Sequence, residues 1–222
     1  MFNVAIDGPA GAGKSTIAKM VAKKLGFTYV DTGSMYRAMA LACIRAGVAS
    51  TEEEAVCKVC ADLDVSLEYD ENGAQQVILN GENVNGYIRT EEVGNMTSAI
   101  AVYGPVREKL VELQRKLGTK YDVIMDGRDI GTCVLKDAPV KIYLTASSRT
   151  RAERRYKELV EKGESCDIAK IEADIKARDK QDMQREIAPL RQAEDAILID
   201  SSQMTIDEVV EQIVKEAKER KE

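Results

Sequence analysis

Apolar residues along this chain fall into two textures. Short continuous apolar runs occur at 4–6, at 27–30, and inside "YDVIMDGRDIG", "VKIYLTAS" and "AILIDSS". Between them, apolar residues recur three and four apart, as Ile17, Val21, Ala22 and Leu25 do. The first texture predicts strands buried on both faces, and the second predicts the helices that cover them. Helices are expected over 15–25, 35–46, 52–63, 90–117 (broken near Gly104-Pro105), 150–162 and 168–186. Gly26 and Gly47 stand where two of them should stop. A last helix opens at Thr205, with Glu208 three residues on as a capping box. This alternation implies an α/β fold with a five-stranded parallel sheet flanked by helices. One stretch departs from it. "VSLEYDENGAQQVILNGENVN" alternates apolar and polar residues around Asn72-Gly73 and Asn80-Gly81, and so predicts a small antiparallel β insert at about 63–90.

Bulk properties narrow the classes. The 222 residues suffice for one substantial core with small appended lobes. No apolar run reaches the roughly 18–20 residues of a membrane span. Met1 leads almost at once into the first apolar run, leaving no room for a signal peptide, so a cytoplasmic protein is expected. A net charge of −6 argues against a broad grip on nucleic acid, so any phosphate must be met by local arginines. Five cysteines without a secretory signal argue against a disulfide framework. Cys57 and Cys60 have zinc-like spacing, but no second pair and no histidine completes a ligand set, and one face of the helix at 52–63 is the simpler reading. The absence of histidine also excludes Ser-His and Cys-His nucleophile systems.

The candidate chemistry begins in "VAIDGPAGAGKSTIAK". Gly8, Pro9, Ala10, Gly11, Ala12, Gly13, Lys14 and Ser15 fit G-x-x-x-x-G-K-[ST], between a predicted strand and a predicted helix. Glycines let successive backbone N–H groups approach a phosphate, and the helix behind presents its positive end. Lys14 supplies a charge for the β- and γ-phosphates, and the Ser15 hydroxyl can ligate Mg²⁺. Asp126, at the exit of "VIMD", is placed to bind a water of that ion. A nucleoside triphosphate and Mg²⁺ are implied.

What the site does with the triphosphate depends on the arginines. A guanine switch would carry N-K-x-D, and none occurs. Arg149, Arg151, Arg154 and Arg155 crowd into "SSRTRAERRY", and Arg178, Asp182 and Arg185 form one stripe of the following helix. Arg37, Arg107 and Arg128 stand near loops or helix ends. Phosphoryl transfer requires such charge, since the migrating group spreads its negative charge over three oxygens. A phosphate-monoester acceptor is mostly dianionic at pH 7 and needs no base, which suits a chain without histidine.

Taken together, "IDGPAGAGKST", "DTGSMYRA", "IRTEEVGNMTSAIA", "PVREKL", "DGRDIGT", "APVKIYLTASS" and "KARDKQDMQREIAPL" resemble the bacterial cytidylate (CMP/dCMP) kinases, of the nucleoside-monophosphate kinase superfamily. Adenylate kinases share the loop but carry "DGFPR"-like text where "DGRDIG" stands here. The resemblance implies a P-loop kinase with a core at 1–30, 106–147 and 188–222, an acceptor-binding part at 31–105 and a helical lid at 148–187. It implies that the loop through Thr16 holds ATP. Thr32, Tyr36 and Arg37 would line the monophosphate site, with Arg128 joining Arg37 on the acceptor phosphate. Ser98, Arg107 and Asp129 would read cytosine, and Arg178, Asp182 and Arg185 would reach sugar and phosphates. Arg151, Arg154 and Arg155 would embrace the transferring group. A monomer acting on CMP and dCMP, without nucleic acid or membrane, is the default expectation. A kinase for UMP or another monophosphate, and a non-catalytic nucleotide sensor, are the alternatives.

Overall fold

A computed structural model describes residues 1–221. β1 (Asn3–Asp7) leads through the glycine-rich loop into α1 (Lys14–Leu25), which stops at Gly26 in the left-handed conformation, φ 70°. β2 (Thr28–Asp31) runs directly into α2 (Thr32–Arg45), which starts three residues earlier than its apolar pattern predicts. The cause is Asp31, whose carboxylate accepts from Ser34 N and caps the helix there. α3 (Glu53–Ala61) is followed by the insert, β3 (Val65–Tyr69), β4 (Gln75–Leu79) and β5 (Glu82–Asn83). Asn80 and Gly81, at φ 50° and 83°, join β4 to β5 as a two-residue turn needing positive φ at both positions. The long helical stretch is two helices, α4 (Glu91–Ile100) and α5 (Gly104–Lys120), with Pro105 in the first turn of α5, where its missing N–H costs nothing.

β6 (Val123–Gly127), a π-helical turn at Ile130–Val134, and β7 (Val140–Thr145) follow. Then come α6 (Ser148–Glu161), α7 (Ile168–Gln184), β8 (Ile197–Asp200), a 3₁₀ turn at Ser201–Gln203, and α8 (Ile206–Glu219). α8 opens with the predicted capping box between Thr205 and Glu208.

The chain divides into two units. One comprises Met1–Tyr29 and the chain from Tyr121 onward. It holds a five-stranded parallel sheet in the order β2-β6-β1-β7-β8. β1 is central, pairing Asn3 with Val123 and Asp7 with Gly127 on one side, and Val4 with Val140 on the other. Ile6, Ile124, Ile142 and Leu144 pack with Ile17 and Val21 of α1 and with Val210 and Ile213 of α8. α6 buries only Arg151 and Ala152, and α7 buries no residue fully, which matches their charge-rich sequences.

The other unit, Val30–Lys120, has its own core of Met35, Met39, Val56, Val77, Ile88, Ile100 and Leu110. The sequence grouping of 106–120 with the sheet domain differs from this division. Val106 and Leu110 of α5 join the second unit's apolar cluster, so α5 belongs there. Cys60 is buried with its Sγ 3.7 Å from that of Cys43, and all five thiols are free. Among the described residues no Cys, Asp or Glu group is arranged to hold a metal by itself, and no helix is long and apolar enough to cross a membrane.

Candidate active site

The sheet unit carries the glycine-rich loop at the exit of its central strand. Gly8 has φ 149°, and a Cβ there would lie 1.9 Å from Leu144 O, so no side chain fits. Gly11 and Gly13 take φ 75° and 87°, which turn the backbone sharply. Gly13 precedes α1 and supplies no side-chain cap, leaving the first N–H groups of the helix to an external anion.

Lys14 is buried, and its Nζ donates to Pro9 O at 2.8 Å, folding the side chain back over the loop. Burial, with the Arg128 charge adding to it, pushes its pKa down to about 7, against the pull of Asp126 and Asp7. Ser15 Oγ donates to Asp126 Oδ2 at 2.8 Å, and Tyr29 Oη donates to Asp126 Oδ1 at 2.8 Å. The structure thus joins the two residues chosen for Mg²⁺ from opposite ends of the motif list. A hydroxyl and a carboxylate are hard oxygen donors, and two of them suit an ion that keeps most of its waters.

A second cluster forms where the loop after β6 meets the end of α7. Arg128 Nε donates to Asp182 Oδ2 at 2.8 Å. Arg185 Nη2 lies 3.5 Å from Asp129 Oδ1, and its Nη1 lies 4.0 Å from Asp182 Oδ1. Burial works against the Asp182 charge, yet Arg128, Arg185 and Arg178 together hold its pKa below the usual carboxylate range. Arg178 contrasts with them. Its Nε is buried without a hydrogen-bond partner among the described residues, and burial with Arg128 beside it pushes its pKa down. An unsatisfied buried donor costs about 1–3 kcal/mol, more when charged, and an incoming phosphate oxygen would relieve it.

Arg185 is not on the helical stripe that the spacing predicted. α7 ends at Gln184, and Arg185 is extended at φ −63°, ψ 141°. Its Nε donates to Ala188 O at 2.7 Å, and Ala188 itself has φ 49°, an uncommon conformation for a non-glycine residue. The segment after the helix, not the helix, aims Arg185 at Asp129.

The arginines of α6 are dispersed. Arg151 is buried and donates to Ala10 O and Ala146 O at 2.9 Å, and to both carboxylate oxygens of Asp179. It therefore holds the glycine-rich loop from outside. Arg154 donates to Ser201 O at 2.8 Å, and exposed Arg155 pairs with Glu158.

In the other unit, Arg37 Nη1 donates to Ile88 O at 2.9 Å, and a Cβ at Gly94 would meet both Arg37 terminal nitrogens at 3.5 Å. Ser98 Oγ donates to Gly94 O within α4, and the bare Gly94 leaves room for the Arg37 guanidinium of α2 against that helix. The buried Arg107 donates to Ala101 O and lies 5.7 Å from the centre of the Tyr36 ring. Thr32 opens α2 and is buried. Gln75 of β4 accepts from Asp31 N and donates to Ser34 Oγ, tying the insert to the start of α2.

Asp7, Asp179, Gln75, Gly94 and Ala188 were not singled out from the sequence as parts of the site. For Asp7 a signal existed, an acidic residue ending a buried strand. The others gain meaning only from distant partners.

Comparison with known proteins bears on the same motifs. The sequence model described as cytidylate kinase matches residues 4–219. The curated cytidylate kinase of Geobacter sp. (strain M21) is 50% identical over 217 residues, covering 98% of this chain and 93% of the relative. That of Clostridium perfringens (strain SM101 / Type A) is 50% identical over 213 residues, covering 96% of each. A crystal structure of an uncharacterized protein from Eubacterium ventriosum aligns with a TM-score of 0.55 at 13% identity, covering 98% of this chain and 99% of that one, a likeness of fold alone. Half the positions shared along almost the whole length, with the phosphate loop and the arginine–carboxylate cluster in place, mean that this chain belongs to the cytidylate kinase family.

Proposed function

We propose that this protein transfers the γ-phosphoryl group of Mg-ATP to CMP or dCMP, giving ADP and CDP or dCDP. The observation that carries the reading is the sheet unit's pairing of a phosphate loop, with Lys14 folded over it and Ser15 on Asp126, with the under-satisfied guanidinium of Arg178. On this reading the loop takes one set of phosphates and Arg178 helps to take a second.

On this reading the loop N–H groups and Lys14 bind the β- and γ-phosphates. Ser15 and Asp126 would hold Mg²⁺, directly or through water, and the ion would neutralise phosphate charge. An oxygen of the acceptor phosphate attacks the γ-phosphorus, the bond to the β–γ bridging oxygen breaks, and ADP departs. Arg37 and Arg128 bind the acceptor phosphate and offset the repulsion between the two anions. Arg178 receives the charge spread over the migrating group, while Asp182 and Arg185 reach the sugar. Arg151 is proposed to hold the loop, since Asp179 already neutralises it, and Arg154 and Arg155 are engaged elsewhere. Thr32 and Tyr36 line the acceptor site. Movement of the helices at 148–187 as a lid would exclude water and limit hydrolysis.

For the base, Asp129 and Arg107 are proposed to face cytosine N4 and N3/O2, with Ser98 assisting. Uracil would present the wrong partners to both, a mismatch worth up to ~10⁴–10⁵ in specificity. The deciding experiment supplies Mg-ATP with CMP, dCMP, UMP, AMP or GMP and follows ADP release. Strong stimulation by CMP and dCMP supports the reading. Comparable turnover of UMP removes the roles of Asp129 and Arg107, and no stimulation by any acceptor removes the kinase. The protein is further proposed to act as a cytoplasmic monomer on free nucleotides, which light scattering at working concentration tests for the monomer.

A further inference from the structure

We propose that Asp7 is a positioning residue for the acceptor side of the reaction, acting by gripping the backbone that follows Asp129. The inference rests on the kinase reading above.

Asp7 ends the central strand β1, in register with Gly127 on one neighbour and Tyr143 on the other. It is buried, and each carboxylate oxygen is taken by one amide: Oδ1 accepts from Ile130 N and Oδ2 from Gly131 N, both at 2.7 Å. These are the opening N–H groups of the π-helical turn, donors that a helical turn leaves without internal partners. Such donors are normally capped by the residue just before the turn. Here that residue is Asp129, and it makes no capping bond. Asp7 supplies the cap from another strand, and the Asp129 carboxylate turns instead toward Arg185.

The division of labour has a chemical point. A carboxylate bound to the turn's own amides is fixed in direction and has fewer lone pairs left for an exocyclic amino group. Asp7 therefore fixes the backbone beside Arg128 and Asp129 while leaving their side chains for the acceptor. Its own ionisation is held at a cost. Burial pushes the Asp7 pKa up to about 6, despite the two amide bonds and the nearby Lys14, with Asp129 adding repulsion. Removing the carboxylate would leave both buried amides without their acceptor, so the grip itself is what the position supplies.

The test is Asp7→Asn, a near-isosteric change that leaves one acceptor oxygen and turns an NH₂ toward an N–H. KM for CMP should rise about tenfold or more, the scale of leaving a buried donor unpaired. Discrimination of CMP over UMP should fall, while KM for ATP moves by less than about threefold on the same scale. Gly131→Ala is the second variant. Its Cβ would lie 3.3 Å from Asp7 Oδ2 and 3.2 Å from Lys141 Cδ, pressing on the grip without altering the carboxylate. The same split, smaller, is expected, and it decides the matter if Asp7→Asn does not fold. Unchanged KM for CMP and unchanged base discrimination would overturn the proposal, as would equal rises in both KM values. Absence of CMP-stimulated turnover in the unmodified protein is a separate failure, that of the kinase reading, and would take this inference with it.

Discussion

Lys14 is the residue whose sequence role and physical state differ most. The motif assigns it a positive charge, and the fold buries that charge under Pro9 and beside Arg128, with a pKa near 7 against 10.5 for an ordinary lysine. Between those values the unfolded chain binds a proton that the folded chain does not, so the stability cost grows as pH falls from 10.5 and is complete below 7. Lys14→Met should therefore raise the melting temperature at neutral pH by a few degrees, at ~2–4 °C per kcal/mol for a chain of this size. The gain should vanish near pH 10.5, and phosphoryl transfer should be abolished throughout. Paired thermal melts and ADP-release assays check both halves. A triphosphate placed on the loop also raises the Lys14 pKa. Nucleotide binding at pH 8 should thus take up protons, and at pH 6 it should take up almost none, read by titration calorimetry in buffers of different ionisation enthalpy. None of this was legible from Gly-Lys-Ser as text. The motif names an anion and a cation, and only the burial sets the cation's price.

Elements were the more readable scale. Apolar runs marked all five parallel strands; β1, β6 and β7 are covered on both faces and have no polar side to interrupt them, whereas the edge strand β8 carries the same kind of run with Leu198 exposed. The Asn-Gly pair at 80–81 fixed the β4–β5 turn for a steric reason that a sequence displays directly. The end of α7 was not readable. No glycine follows it, and polar residues continue unbroken through Glu186, so only the structure shows Arg185 leaving the helix. Two element-scale predictions follow from caps and close approaches. Thr205→Ala removes the Oγ1 that accepts from Glu208 N, keeps the bond from Thr205 N to Glu208 Oε2, and should cost about 1 kcal/mol, visible as a lowered denaturant midpoint with an unchanged slope. Gly8→Ala drives a methyl into the Leu144 carbonyl and should cost on the order of 4 kcal/mol or prevent folding, as measured by circular dichroism and soluble yield.

At the scale of the whole molecule, the chain carries two apolar cores, one around Ile6, Ile142 and Ile213, the other around Met39, Val77 and Leu110. The sequence showed both sets of residues but not the line between them. Val106 and Leu110 are periodic apolar positions that could have packed on either core, and periodicity carries no label for the partner. Two cores need not melt together. Calorimetry should therefore give an enthalpy larger than the van't Hoff value, and Met39→Ala should shift only part of the transition, by the ~2–5 kcal/mol of a buried truncation. A single two-state melt for both proteins would contradict this.

The π-helical turn at Ile130–Val134 has a consequence for the family's tolerance of length changes. Such a turn holds one residue more per hydrogen-bonded ring than an α turn, and so can be shortened to ordinary geometry by deleting one residue. That deletion would swing the remaining side chains by roughly 100° about the helix axis. Ile130 and Val134 would then stand three apart and still share a face, but the bond from Leu135 N to Ile130 O that closes the wide ring would be lost, and Leu135 and the chain beyond it would be re-aimed. Gaps and insertions should thus be selected against here even where substitutions are accepted.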